Sequence, residues 1–245
     1  IGELAQRHGQ VPGSRVAVVA LGKLGGREMT AVSDLDLMLI YDVAGTAEQS
    51  TGEKPLYASE WYSRLIQRLV TALTAPTKRG ALYDVDLRLR PSGGKGPVAV
   101  TLDAFREYHA KESETWERMA LTRARGIAGD QSFVDEIHAA IRVACGRDDG
   151  AGKLSKDIVA MRTLISKEKP PKSHWDLKVA PGGLVDIEFA AQFLMLRHGH
   201  DVAGIIEANT GACLQGLASR NLLAPALADD LMDCLLYTSP SPRDR

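Results

Sequence analysis

Residues 22–42, GKLGGREMTAVSDLDLMLIYD, are the most informative segment of the sequence for predicting the fold. Its second half, residues 34–41, is an apolar run whose length and β-forming side chains predict a strand in the centre of a sheet. The apolar run VAVVAL at 16–21 predicts a second strand. Residues 22–33 lie between the two predicted strands, and this polar, glycine-containing segment predicts a turn or short helix.

Two carboxylates begin the predicted central strand. Asp34 and Asp36 are two residues apart, so a strand would point both side chains to the same face. Their like charges repel, and partial burial adds a desolvation cost. A divalent cation relieves both, and Mg²⁺ favours oxygen ligands and few protein carboxylates. The alternative is a pair of solvated acids at a strand edge, and the D-x-D pattern alone leaves both open.

A third acid follows on a later predicted strand. The stretch LYDVDLRLR at 82–90 alternates strictly, which predicts a strand with Asp84, Asp86, Arg88 and Arg90 on one face. Asp86 would serve as a third metal ligand beside arginines that neutralise phosphate. The alternative interpretation is an ordinary amphipathic strand whose polar face is solvated.

The glycine-rich segment at 22–26 is a candidate phosphate site. Backbone N–H groups in such a turn can cradle phosphate, and glycines allow a close approach. It is not a Walker A loop, because the required spacing and Gly-Lys-Ser/Thr ending are missing. Ser33 either binds phosphate or caps the turn. The residues that we predict to bind the nucleotide are Gly22, Lys23, Gly25, Gly26, Ser33, Arg88 and Arg90.

The remaining pattern predicts an α+β architecture with two domains. Residues 56–74 have the spacing of an amphipathic helix, and 97–100 predict a short strand. From residue 102 onward the apolar period is helical, and a glycine-rich stretch at 146–152 predicts the boundary. The predicted domains are 1–145, a mixed sheet with flanking helices, and 153–234, a helical bundle. The predicted helices of this part are 102–117, 131–145, 154–168, 184–198, 203–218 and 222–234.

Composition argues against several classes of protein, and the two ends of the sequence predict a fragment. With 30 basic and 31 acidic residues the chain lacks the global basic field of nonspecific nucleic-acid binders. There is no secretory signal, and no apolar run approaches the ~18 residues of a membrane span. Three cysteines without CxxC spacing predict reduced, buried thiols in a cytoplasmic protein. The first residue is Ile1, and LLYTSPSPRDR at 235–245 resembles translated adaptor sequence, so we expect a fragment with a non-native tail.

The combined motifs are far more specific than each alone. A glycine turn, a D-x-D strand and a later aspartate resemble the polymerase-β-like nucleotidyltransferases, which use two metals for displacement at an α-phosphate. Nearly all of 1–234 resembles the family of bifunctional glutamine synthetase adenylyltransferase/adenylyl-removing enzymes. The segments that carry this resemblance are GKLGGREMTAVSDLDLMLIYD (22–42), LYDVDLRLRPSG (82–93), TWERMALTRARGIAGD (115–130) and WDLKVAPGGLVDIEF (175–189).

The resemblance implies a function and assigns its residues. It implies transfer of AMP from ATP to a tyrosine of glutamine synthetase, with Asp34, Asp36 and Asp86 as catalytic metal ligands and Mg²⁺ as cofactor. GREMTA and LTRAR resemble the carboxy-terminal, adenylylating half, and the family responds to a PII-type signalling protein and glutamine. Two departures from the family's pattern are Val32, where a small residue is usual, and Asp84, where glutamate is common.

Other functions remain open on the sequence. They are the deadenylylating half of the same enzyme, a uridylyltransferase of a signalling protein, and an inactive nucleotide-binding regulatory module. Arg123 and Arg125 either reach a phosphate or are solvated. Asp186 and Glu188, two apart on a predicted helix, do not share a face, and the pattern assigns them no role.

Overall fold

The computed structural model describes residues 2–30, 33–45, 48–78, 80, 83–173 and 176–238, except the side chains of residues 151, 237 and 238. The chain divides into two compact units. Unit 1 comprises the residues up to Ser113 together with Ala124–Ala140, and unit 2 comprises Glu114–Arg123 and the residues from Ile141 onward. These bounds differ from the predicted domains at 1–145 and 153–234, because residues 114–123 and 141–145 belong to the second unit.

The helices and strands have the following bounds. The strands are β1 Ser14–Ala20, β2 Leu35–Val43, β3 Val85–Asp86, β4 Ala99–Thr101 and β5 Arg125–Gly129. The helices are α1 Gly2–His8, α2 Gly22–Gly25, α3 Ala58–Thr74, α4 Leu102–Lys111, α5 Thr115–Leu121, α6 Gln131–Cys145, α7 Ala151–Glu168, α8 Leu184–His198, α9 Thr210–Ser219 and α10 Pro225–Thr238. A short 3₁₀ helix covers Gly93–Lys95.

Unit 1 is built on a mixed sheet in which β2 is central. β1 lies antiparallel between β2 and β5. β3 and β4 pair in parallel with successive parts of the other edge of β2. Helix α3 covers this sheet with Trp61, Tyr62 and Ile66, which are buried in one apolar cluster with Leu39 and Tyr41 of β2. The predicted mixed sheet with helices is confirmed.

The predicted strand at 82–90 is wrong over most of its length. Only Val85 and Asp86 pair with β2, and the chain then turns into the 3₁₀ helix. Asp84, Asp86, Arg88 and Arg90 therefore do not share one strand face. Alternation of apolar and polar residues predicts a strand only where a partner strand continues, and here the pairing ends after two residues.

Other features also differ from the sequence prediction, and the predicted helix 203–218 begins only at Thr210. β2 begins at Leu35, so Asp34 precedes the strand. The predicted helix 102–117 is two helices, because Glu114 begins α5 with a capping box that pairs its side chain and backbone with Glu117. β5 was not predicted, since its sequence RGIAG holds two glycines that weaken a strand signal.

The described part of unit 2 from residue 141 onward is helical. Its apolar core joins Ile187, Ala191 and Met195 of α8 with Leu214 and Leu217 of α9. The predicted helices 131–145 and 184–198 coincide with α6 and α8. None of the helices described is long and apolar enough to cross a membrane.

Two expectations from the sequence hold only in part: that residues from 235 onward are a non-native tail, and that all three cysteines are buried. Helix α10 continues through Thr238, and Leu235 packs partly buried against the unit 2 core, so the expected boundary after Cys234 falls inside a helix. Residues 239–245 lie outside the described part of the chain. The cysteines are free thiols, as expected. Burial raises the pKa of Cys145 and Cys213 to about 12, whereas Cys234 is exposed rather than buried.

Candidate active site

Two of the predicted metal ligands face each other across neighbouring strands. Asp36 of β2 stands in register with Asp86 of β3 in a parallel pairing. The backbone N–H of Leu35 donates to the carbonyl of Asp84 at 2.8 Å and secures this register. Side chains of paired residues on adjacent strands project to the same face. The fold therefore brings the second and third acids of the motif together.

Arg88 forms an ion pair with Asp86. Its backbone N–H donates to Oδ1 at 2.8 Å, and its Nε donates to Oδ2 at 2.9 Å. The hydrogen bond from the Arg88 side chain is the main reason that the pKa of Asp86 is lowered. The charges of Asp36 and Asp34 also raise the pKa of Arg88, after the larger effect of Asp86. One guanidinium thus lies within the field of all three predicted metal ligands.

The acids line an open cleft, but they are not at ligand spacing. Asp34, Asp84, Asp86 and Arg88 border a cavity of about 440 Å³. Among the described residues, no three His, Cys, Asp or Glu side chains are grouped closely enough to hold a metal ion. The donors are carboxylate oxygens, which suit Mg²⁺, and their negative charge raises the pKa of the Arg88 guanidinium beside them. Metal binding stays a prediction that requires these side chains to move.

The glycine turn lies directly against Asp36. The backbone N–H of Leu21 donates to the carbonyl of Asp36 at 2.9 Å, and the chain continues into α2. Gly22 has φ +51°, and a Cβ there would stand 2.2 Å from Oδ2 of Asp36. The positive φ favours glycine at this position, and a side chain there would displace the Asp36 carboxylate. The turn and the carboxylate therefore share one site.

Two amides of the predicted phosphate cradle are already used. The N–H of Gly25 donates to the carbonyl of Leu21 at 2.8 Å, and that of Gly26 donates to Gly22 at 3.1 Å. These bonds form the single turn of α2. In this conformation these two amides are not available to a phosphate.

Ser33 and Arg90 have structural contacts. The hydroxyl of Ser33 accepts from the backbone N–H of Thr30 at 3.0 Å. This contact agrees with the interpretation that Ser33 caps the turn. Val32 lies outside the described residues. The buried guanidinium of Arg90 donates to the carbonyls of Leu87, Gly96 and Pro97. It organises the loop after β3, and binding of phosphate by Arg90 stays a prediction.

Arg125 is the residue that the sequence left undecided. It lies on β5, and its Nε and Nη2 donate at 2.9 Å to the carbonyls of Gly25 and Leu24. Arg125 is half-buried, and these two hydrogen bonds hold the glycine turn. Arg125 lies 100 residues from Gly25 along the chain. The only available signal was the LTRAR motif, since β5 itself was not predicted.

Comparison with protein families identifies the chain. A family model described as glutamate-ammonia ligase adenylyltransferase matches residues 2–140, which include the strands, the glycine turn and the three acids. The chain belongs to this adenylyltransferase family. A second model, described as GlnD PII-uridylyltransferase, matches residues 160–237.

The relatives of this adenylyltransferase-family chain carry one name. Proteins named bifunctional glutamine synthetase adenylyltransferase/adenylyl-removing enzyme match it at 54% identity in Brucella suis, over 79% of the chain and 20% of the relative. The one in Agrobacterium fabrum matches at 46% identity, over 98% of the chain and 25% of the relative. The chain thus spans about a quarter or less of the length of these relatives.

The region of the second match holds the acids to which the sequence assigned no role. Asp186 of α8 forms an ion pair with Arg162 of α7 and accepts from the backbone N–H of Gly182 at 2.6 Å. The Arg162 hydrogen bond is the main cause that lowers the pKa of Asp186. Glu188 pairs at 3.1 Å with Arg123, which is buried. In this adenylyltransferase-family chain both acids anchor α8 to neighbouring segments of unit 2.

Proposed function

We propose that the chain is a Mg²⁺-dependent adenylyltransferase that moves AMP from ATP to a tyrosine of glutamine synthetase. Two kinds of evidence support this: membership of the family over residues 2–140, and the geometry of the acids. The observation that carries the proposal is the register of Asp36 with Asp86 beside a glycine turn that touches Asp36. A sheet that only served as a scaffold has no need to gather these charges.

The three acids would hold the metal. Asp34, Asp36 and Asp86 supply the oxygen donors, and bound Mg²⁺ would neutralise charge at the α-phosphate and at the leaving pyrophosphate. Arg88 balances the charge of Asp86 in the conformation described. Its side chain is 82% exposed, so it can turn from Asp86 to a phosphate oxygen at little cost. Lys23, on the glycine turn, is the second cation that we assign to the triphosphate.

The finer fold assignment follows from the same proposal. We propose that unit 1 has the polymerase-β-like nucleotidyltransferase fold and that the helices of unit 2 form a bundle domain. We propose that the protein acts in the cytoplasm. Its substrate would be glutamine synthetase, and its regulator would be a PII-type signalling protein. The direction of the reaction rests on GREMTA and LTRAR, which resemble the adenylylating half, because both directions require the same acids.

A second candidate function has its own observation. The match of residues 160–237 to a PII-uridylyltransferase model favours transfer of UMP to a signalling protein. This match lies outside the sheet and its acids, whereas the adenylyltransferase match covers them. We therefore rank adenylylation first.

The experiment supplies the purified chain with Mg²⁺ and either labelled ATP or labelled UTP, with glutamine synthetase and a PII-type protein as acceptors. We expect label on glutamine synthetase from ATP, and none with Asp36→Asn. Label on the PII-type protein from UTP would replace the first proposal with the second. A separate reaction contains adenylylated glutamine synthetase, Mg²⁺ and phosphate without ATP. Release of ADP there as fast as forward transfer would assign the chain to the deadenylylating half.

A further inference from the structure

One side chain reaches two carbonyls at the end of the glycine turn. A helix leaves its last carbonyl groups without partners inside the helix, and α2 has a single turn. The carbonyls of Leu24 and Gly25 accept at 2.9 Å from the same guanidinium, that of Arg125, and the Leu24 carbonyl also accepts from the backbone N–H of Arg27 at 3.3 Å. A cation at a helix carboxyl end also interacts favourably with the aligned peptide dipoles.

The opposite side of the turn is pressed against the proposed metal ligand. Gly22 approaches Asp36 so closely that a Cβ would stand 2.2 Å from its Oδ2. The Leu21 N–H bond to the carbonyl of Asp36 fixes the backbone at the same point. A shift of the turn by about 1 Å would therefore change the space that this carboxylate occupies, and errors of that size are costly in catalytic geometry.

Arg125 is placed by the sheet. It pairs with Ala20, the last residue of β1, from which the chain enters the turn. Burial lowers the pKa of Arg125, and the charge of Arg27 lowers it further, yet an arginine stays protonated at neutral pH. A planar guanidinium can reach two carbonyls at once, whereas a lysine ammonium is a single point charge on a flexible stem.

We propose that Arg125 is a positioning residue that fixes the glycine turn against Asp36, and so sets the nucleotide and metal geometry without touching either. This inference rests on the proposed function for its catalytic consequence. Its structural part, the restraint of the turn, stands on the two hydrogen bonds alone.

The test compares Arg125→Gln and Arg125→Lys with Arg15→Gln. Arg15 is the matched control, because it also lies in the sheet and pairs with Asp42 at 2.7 Å and with Glu136, at the end of β1 away from the turn. Hydrogen exchange is measured by mass spectrometry on peptides covering residues 21–28. Binding of Mg-ATP is measured by calorimetry, and KM for ATP and kcat are measured where transfer is detected.

In Arg125→Gln we expect exchange of the turn amides of Gly25 and Gly26 to rise about tenfold, since a charged donor to both carbonyls is lost. We expect the Kd for Mg-ATP to rise several-fold and kcat to fall, and Arg125→Lys to restore part of both. In Arg15→Gln we expect exchange to rise near Asp42 and the turn to keep its protection.

The proposal is overturned if turn exchange in Arg125→Gln equals that of wild type, or if turn exchange rises equally in Arg15→Gln. A loosened turn with an unchanged Kd for Mg-ATP would also overturn it, by removing the link from turn to site. Failure of the proposed function is a different result, in which the wild-type chain binds no Mg-ATP. Hydrogen exchange still decides the positioning role in that case, because it requires no nucleotide.

Discussion

At the scale of single residues, the candidate site depends on how charges balance at one sheet edge. Asp36 lies against the glycine turn and stands in register with Asp86 on the neighbouring strand. Arg88 offsets the resulting negative charge. We therefore expect substitutions of these residues to change the rate of AMP transfer without lowering the free energy of unfolding.

Asp36→Asn should lower AMP transfer by about a thousandfold, because loss of a metal ligand removes several kcal/mol of transition-state stabilisation. The free energy of unfolding should stay equal or rise, since the change removes a like charge beside Asp86. The measurements are the rate of label transfer and urea unfolding. Turnover close to wild type in Mg²⁺ would refute the assignment of this ligand.

Arg88→Gln should lower the Mg²⁺ concentration for half-maximal thermal stabilisation by a small factor, about two- to fivefold, because an exposed ion pair competes only weakly for Asp86. KM for ATP should rise, since a cation for the triphosphate is lost. The control is Arg106→Gln, which breaks an exposed pair with Asp103 on α4. An unchanged Mg²⁺ midpoint together with an unchanged KM would show that Arg88 takes no part in the site.

At the scale of elements, the contacts of α8 explain why its acids are at i and i+2. They point in different directions because each has its own partner, Arg162 on α7 for Asp186 and Arg123 beyond α5 for Glu188. The carboxylates of Asp186 and Glu188 thus tie α8 to two different neighbouring segments. Periodicity within one helix could not reveal this, since the partners come from other segments.

Asp186→Asn should lower the free energy of unfolding by about 1 kcal/mol at neutral pH, allowing for the partial exposure of the pair. The pKa of Asp186 is depressed in the folded chain, mainly by Arg162. Its stabilisation is therefore complete above the ordinary aspartate pKa and is lost as pH falls through the depressed value. Urea unfolding at several pH values should show the difference from wild type shrinking in acid. A pH-independent difference, or an equal effect of the exposed Asp201→Asn, would contradict this.

At the scale of the whole molecule, two compact units divide the chain at places that its composition does not mark. Residues 114–123 belong with unit 2 although they follow α4 of unit 1, and α6 contributes residues to both units. The glycine-rich stretch near residue 150 looks like a boundary in sequence, but compactness depends on contacts between distant segments. Each unit has its own apolar core.

A chain shortened to end at Thr238 should unfold as the full chain does, whereas one ending at Cys234 should lose about 1 kcal/mol. The longer truncation removes the last turn of α10 and the partly buried Leu235, which packs on the unit 2 core. Thermal and urea unfolding of the two truncations provide the measurement. Equal stability of both would show that residues 235–238 contribute nothing, as their sequence alone indicated.

Local pattern and composition were enough to predict several parts of this protein. Apolar runs of strand length placed β1 and β2, and helical periodicity placed α6 and α8 with their observed bounds. The spacing of Asp34, Asp36 and Asp86 marked the candidate site, because residues that carry chemistry stand out against an apolar strand. The family also followed from these motifs, and residues 2–140 match it.

The partners of the site side chains could not be predicted before the fold was known. The strand around Asp86 stops after two residues, because pairing with β2 ends there. Arg88 then bonds Asp86, while Arg90 turns to backbone carbonyls. Arg125 reaches a turn that lies 100 residues earlier in the chain. A periodic pattern in the sequence predicts which face of a helix or strand a residue occupies. A hydrogen bond between distant residues depends on the relative positions of several elements, and these positions are set only when the sheet forms.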